Sequence, residues 1–152
     1  MSDRPFSSAA ILGSGSFGMA MAKLLSPKLE SVLLIGRDQE TAETINREHR
    51  NAHYLSGITL DRNVRASTVP EEALGHPLII FAVPTSATRE MAKTLAAAGL
   101  PASATLLSCA KGIEKSTGDR MSEVLREVFP SHPIALIAHT FTQQQEKKYR
   151  NL

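Results

Sequence analysis

The chain has 152 residues, 42% of them hydrophobic, with 17 Lys plus Arg against 15 Asp plus Glu and a formal net charge of +2. That length suits one domain with its own core, and a surplus of two positive charges gives no basic face of the kind nucleic acid requires. A single cysteine, Cys109, excludes an internal disulfide, and the polar start Met1-Ser2-Asp3-Arg4-Pro5 and the glycines in the first apolar run argue against a signal peptide or membrane span, so a cytoplasmic protein is expected.

Strand-like and helix-like segments alternate along the chain, the pattern of a parallel sheet with crossover helices. Residues 9–12 read as a short buried strand and residues 16–25 as a helix stopped by Pro27. Residues 32–35 are uniformly apolar, as a strand covered on both faces should be. A helix over residues 39–49 follows, with Asp38 as N-cap. An irregular stretch, 51–61, precedes a weak strand at 64–66. Residues 78–83 form the strongest strand, stopped by Pro84, and residues 88–98 are helical up to Gly99. A strand at 105–108, a helix at 119–128 with Asp119 or Thr117 near its cap, and a last strand at 134–137 complete the series. The expected fold class is α/β, a Rossmann-like doubly wound and mainly parallel sheet.

Between the first strand and the first helix lies Gly13-Ser14-Gly15-Ser16-Phe17-Gly18, the spacing G-x-G-x-x-G in the strand-to-helix setting that gives this motif its meaning. Gly13 permits the tight turn, Gly15 lets the backbone approach a pyrophosphate, and Gly18 lets the helix lie close to the strand. Free N–H groups at the helix start then face the phosphates. The bland alternative is a glycine-rich turn that binds nothing. The second strand ends in Gly36-Arg37-Asp38, so Arg37 stands where an acidic residue would grip the ribose of NAD. Its planar fork can stack on adenine or pair with the 2′-phosphate of NADP, which favours NADP tolerance over a merely solvated arginine. Asp38 is one position late and suits a helix cap. His49 and His53 are four apart but the loop at Asn51-Ala52 breaks any helical register, and no cysteine or carboxylate cluster joins them, so no metal site is expected.

The segments GSGSFGMAMAKLL, GRD, INREHRNAHYLSGITL, IIFAVPTSATRE and CAKGIEKSTGDRMSEVL, in that order and spacing over about residues 8–142, resemble the amino-terminal domain of bacterial NAD(P)-dependent glycerol-3-phosphate dehydrogenases. The resemblance implies NAD or NADP as cofactor and reversible hydride transfer between the nicotinamide and carbon 2 of glycerol 3-phosphate or dihydroxyacetone phosphate. It implies that Ser16 and Phe17, beside Gly13, Gly15 and Gly18, contact the cofactor, that Arg37 lies at the adenosine ribose, and that Tyr54 lines the cofactor. Packing of an irregular loop is the alternative for Tyr54, and Asn51 and Gly57 read as turn residues. Pro84, at the carboxyl end of the fourth strand, either contacts the cofactor or only stops the strand. Lys111, in Lys111-Gly112-Ile113-Glu114 just past a strand, is assigned contact with both cofactor and phosphorylated substrate, where its charge would act on the reacting oxygen. A solvated surface group is the alternative. Cys109 beside it reads as a small buried filler.

At the carboxyl end the pattern fades. The family's S-G-P-[ST]-F-A-x-E is met only by Thr140, an expected substrate contact, and Phe141, while Ala138, His139 and Gln144 depart from it. The expected division is therefore a dinucleotide-binding domain over residues 1–142 and a polar tail over 143–152. The family's helical substrate domain, with its proton-transferring lysine, has no counterpart, so no catalytic residue is assigned. The implied chain is a truncated or frame-shifted product, an excised cofactor domain, or a stand-alone relic, weak in binding NAD(P)(H) and poor in turnover. Oligomeric state is open: an apolar face without its helical domain could pair in a homodimer. Two other readings remain, a non-catalytic dinucleotide-binding or interaction module and another dehydrogenase with the same loop, such as one like ketopantoate reductase.

Overall fold

Short apolar runs and stretches of helical period alternate through residues 4–137, which the computed structural model of the protein describes. The runs become β1 (Ser8–Leu12), β2 (Ser31–Ile35), β3 (Val64–Ser67), β4 (Leu78–Phe81), β5 (Thr105–Ser108) and β6 (Ile134–Leu136). The periodic stretches become α1 (Ser16–Leu25), α2 (Gln39–Glu48), α3 (Thr85–Ala97) and α4 (Met121–Val128). The six strands pair in parallel in the spatial order β3-β2-β1-β4-β5-β6. The chain starts mid-sheet, runs out to one edge through β2 and β3, and returns to the other flank of β1 with β4. That reversal makes the sheet doubly wound, as expected, and puts the topological switch point between β1 and β4, at whose carboxyl ends ligands of such sheets bind.

Neighbouring side chains of a strand point to opposite faces, so a strand with helices on both sides must be apolar throughout. In β1, Ala9 and Ile11 join a core with Met19, Ala22 and Ile45, whereas Ala10 and Leu12 join a second core with Ala92, Leu95 and Leu125. Ile11, Leu12, Ile80 and Phe81 are fully shielded from water, each stabilising the fold by about 1.5–3 kcal/mol relative to exposure. The edge strand β6 differs: Ala135 and Leu136 are exposed, so its apolar run is not buried on both faces.

Several boundaries move from their expected places. The ladder of β4 ends at Phe81 rather than at residue 83, because β1 turns away at Gly13; Ala82 still donates its N–H to the Leu12 carbonyl at 2.8 Å. The next helix starts at Thr85, three residues early, with Pro84 as N-cap. Thr88 is interior to it, and its hydroxyl donates to the Pro84 carbonyl at 3.2 Å. Pro27 does not end the first helical segment cleanly, since a 3-10 turn continues over Ser26–Lys28, and a second such turn spans Pro70–Gly75. α4 begins at Met121 instead of residue 119, capped by the Glu123 carboxylate, which accepts the Arg120 N–H at 2.7 Å. His49 is the left-handed C-cap of α2 (φ 57°) and not its last residue, and the last strand stops one residue short, at Leu136.

Candidate functional site

Four connections leave the carboxyl ends of adjacent strands β2, β1, β4 and β5, and they carry the described residues singled out in the sequence. The glycine turn follows β1. Gly13 adopts φ +115°, and a Cβ there would stand 2.6 Å from the Ala82 carbonyl oxygen. At Gly18 a Cβ would overlap the Gly13 carbonyl, so this third glycine is what allows α1 to lie against the strand end. Gly15 is different in kind: among the described residues, its chain neighbours aside, no atom lies within 4 Å of where its Cβ would be. Folding does not require a bare residue there, but close approach by a ligand does. Gly15 is also the N-cap of α1, and among the described residues no side chain caps the helix. The first amides of α1 therefore lack acceptors within the helix and carry the positive end of its dipole. Ser16 and Phe17, in that first turn, are exposed, Phe17 by 40%. This open cradle at an uncapped ten-residue helix fits a diphosphate.

At the end of β2, Gly36 touches the same turn, where a Cβ would stand 2.5 Å from Ser14 Oγ. Sequence reasoning gave Gly36 no role, because the contact joins segments far apart in the chain. Arg37 follows, exposed. Asp38 caps α2 as expected, accepting from the Thr41 N–H at 2.7 Å and from the Thr41 hydroxyl. The Thr41 hydroxyl, then the Thr41 amide, hold its carboxyl below the usual range.

The irregular stretch after α2 is also tied to this corner. Asn51 is fully buried, and its Nδ2 donates to the Ser14 carbonyl at 3.0 Å. Its Oδ1 accepts from the His53 and Tyr54 amides at 2.9 and 3.2 Å. The turn role expected of Asn51 is real, but the bond to Ser14 is an addition that local sequence did not reveal. Tyr54 is 49% exposed.

Beyond the switch point, Pro84 is exposed at the start of α3. Lys111 is exposed past the end of β5, and Gly112 next to it has φ +114° and lies against Thr85, a Cβ there standing 3.5 Å from Thr85 Cγ2. Glu114 fastens this loop down. Arg89 of α3 donates to both its oxygens, Nε to Oε1 and Nη2 to Oε2, each at 2.8 Å, and Nη2 also reaches Glu127 Oε2 at 3.1 Å. The Thr117 hydroxyl adds a bond to Glu114 Oε2 at 2.7 Å. The Arg89 guanidinium, then the Thr117 hydroxyl, pull the Glu114 carboxyl down to about 2. Glu114 was visible in the sequence as part of a motif, but its partner was not, since Arg89 sits 25 positions away. Cys109, expected as a small buried filler, is only partly buried against the core, and burial pushes its thiol up to about 11. Thr140 and the expected tail at 143–152 lie outside the described residues.

Residues 8–139 match the family model described as NAD-dependent glycerol-3-phosphate dehydrogenase N-terminus. The chain belongs to that family. It is 41% identical over 127 residues to a glycerol-3-phosphate dehydrogenase [NAD(P)+] of Myxococcus xanthus, with 82% of this chain and 38% of the relative covered. A relative of the same name from Corynebacterium glutamicum is 40% identical over 131 residues, covering 83% and 38%. Among solved structures, a glycerol-3-phosphate dehydrogenase from Coxiella burnetii superposes with a TM-score of 0.77 at 25% identity, covering 85% of this chain and 39% of that one. The chain thus spans about 38% of the length of these curated relatives. The described residues singled out in the sequence all fall inside the matched stretch. Among the described residues no helix is long and apolar enough to cross a membrane.

Proposed function

We propose that this domain holds NAD or NADP for hydride transfer between the nicotinamide and glycerol 3-phosphate or dihydroxyacetone phosphate. The observation that carries the reading is the contrast among the three glycines: Gly13 and Gly18 are required by neighbouring backbone, whereas Gly15 fronts open space before the uncapped start of α1. Gly13, Gly15, Gly18 and the amides of Ser16 and Phe17 would hold the diphosphate. Tyr54, on the loop tied to this turn, and Pro84, at the switch point, would flank the dinucleotide. When bound, the dinucleotide supplies the hydride carrier. The chain supplies position and charge, with Lys111 offering an ammonium to the phosphorylated substrate and to the oxygen that gains charge. Thr140 is proposed as a second substrate contact on the family pattern alone.

Arg37 is the proposed selector between the two dinucleotides. Asp38 is engaged in capping α2, which leaves the exposed Arg37 to meet the adenosine ribose or a 2′-phosphate on it. Parallel fluorescence titrations with NADH and NADPH test the reading. The chain should bind both, and Arg37→Ala should weaken NADPH by about ten-fold while leaving NADH within about two-fold. Failure of the unmodified chain to bind either dinucleotide would sink the proposal.

A further inference from the structure

We infer that Asn51 is a positioning residue of the dinucleotide site, locking the loop that bears Tyr54 onto the glycine turn so that both walls respond to a bound dinucleotide as one body. The inference rests on the dinucleotide reading given above. A buried side-chain amide is tolerated where its polar atoms are paired, and Asn51, with no exposed surface, spends its two ends on different segments. Oδ1 takes the His53 and Tyr54 amides, and Nδ2 reaches the Ser14 carbonyl. Other bonds shape the loop from within. Arg50 Nη2 donates to the Ser56 carbonyl at 2.8 Å, the Ile58 N–H to Leu55 at 2.9 Å, and the Leu60 N–H to His49 at 2.7 Å, closing the base. The bond to Ser14 crosses to the glycine turn.

What that bond controls follows from peptide geometry. The Ser14 carbonyl and the Gly15 N–H belong to one planar trans peptide and point in opposite directions. With the carbonyl held on buried Asn51, the Gly15 N–H is aimed the other way, on the residue whose missing side chain leaves open space. The Ser14 side chain in turn sits beside Gly36 at the end of β2, where a Cβ would stand 2.5 Å from its Oγ. Asn51 therefore sets the direction of a diphosphate donor and the seat of Tyr54 through a single side chain.

Amide hydrogen exchange on the 152-residue chain, with and without NADH, tests this directly. NADH should slow exchange at residues 15–17 and at His53 and Tyr54 together, with the same NADH midpoint. Asn51→Asp keeps the acceptor for the His53 and Tyr54 amides but loses the donor to Ser14, and should raise that midpoint by about ten-fold. An Asn51 that only stabilised the fold would lower the melting temperature and leave the midpoint unchanged, which would overturn the inference. Slowing at residues 15–17 of the unmodified chain without slowing at 53 and 54 would overturn it as well, and that measurement decides the matter if Asn51→Asp does not fold. No slowing anywhere in the unmodified chain would instead defeat the dinucleotide reading itself, and the inference with it.

Discussion

The corner after β1 and the corner after β5 open onto the same edge of one sheet, yet they are built by opposite means. The first is shaped by missing side chains: backbone meets backbone at Gly13 and Gly18, and space is left at Gly15. The second is shaped by charge, with Arg89 gripping Glu114 on both oxygens and sharing Glu127, so that the loop carrying Lys111 rests against α3. Steric fit of bare backbone is indifferent to pH and salt but intolerant of one added carbon. A partly exposed ion pair tolerates reshaping but depends on protonation and ionic strength. A corner held by backbone sterics and a corner held by an ion pair thus lie side by side on one sheet edge.

That contrast can be broken most forcefully at Gly18. Gly18→Ala drives a methyl into the Gly13 carbonyl, and should cost about 3 kcal/mol, lowering Tm by roughly 10 °C in a chain of this size, as read by thermal melting. Gly15→Ala sharpens the comparison, since its methyl meets only open space. Folding should weaken by no more than about 1 kcal/mol, the cost of a poorer N-cap, while NADH affinity falls at least about ten-fold in the same fluorescence titration. The smallest expected effect is at the charged corner. Glu114→Gln keeps the shape but loses the charge, and should lower Tm by a few degrees at neutral pH. It should also flatten the acid limb of stability. With the folded carboxyl near 2 against an ordinary 4.5, the clasp contributes fully above the unfolded value and is lost as pH falls from about 4.5 through 2. Acid melts of the unmodified chain and of Glu114→Gln should converge toward pH 2; parallel curves across that window would show that the clasp does not carry the pH dependence.

The sequence by itself determined the class of fold and the start of the site. Uniform apolar runs at β1, β2 and β4 and the amphipathic stretches between them are local patterns, and Gly18 expresses a local clash between a strand end and the helix that follows, whereas Gly13 is bare because of Ala82 at the end of β4. Asp38 was legible as a cap for the same reason, its partner Thr41 being three residues on. The motif ending in Glu114 and the loop around Tyr54 were visible, but not what held them. Asn51 reaches Ser14 across 37 positions and Glu114 meets Arg89 across 25, and Gly36 meets the Ser14 side chain, on another connection. Those pairings exist only once β2, β1, β4 and β5 lie side by side, because the sheet order brings together the ends of segments that no periodicity relates. Tertiary structure alone therefore decided which side chains fasten the site, since hydrogen bonds and ion pairs act over a few ångströms of space and take no account of separation along the chain.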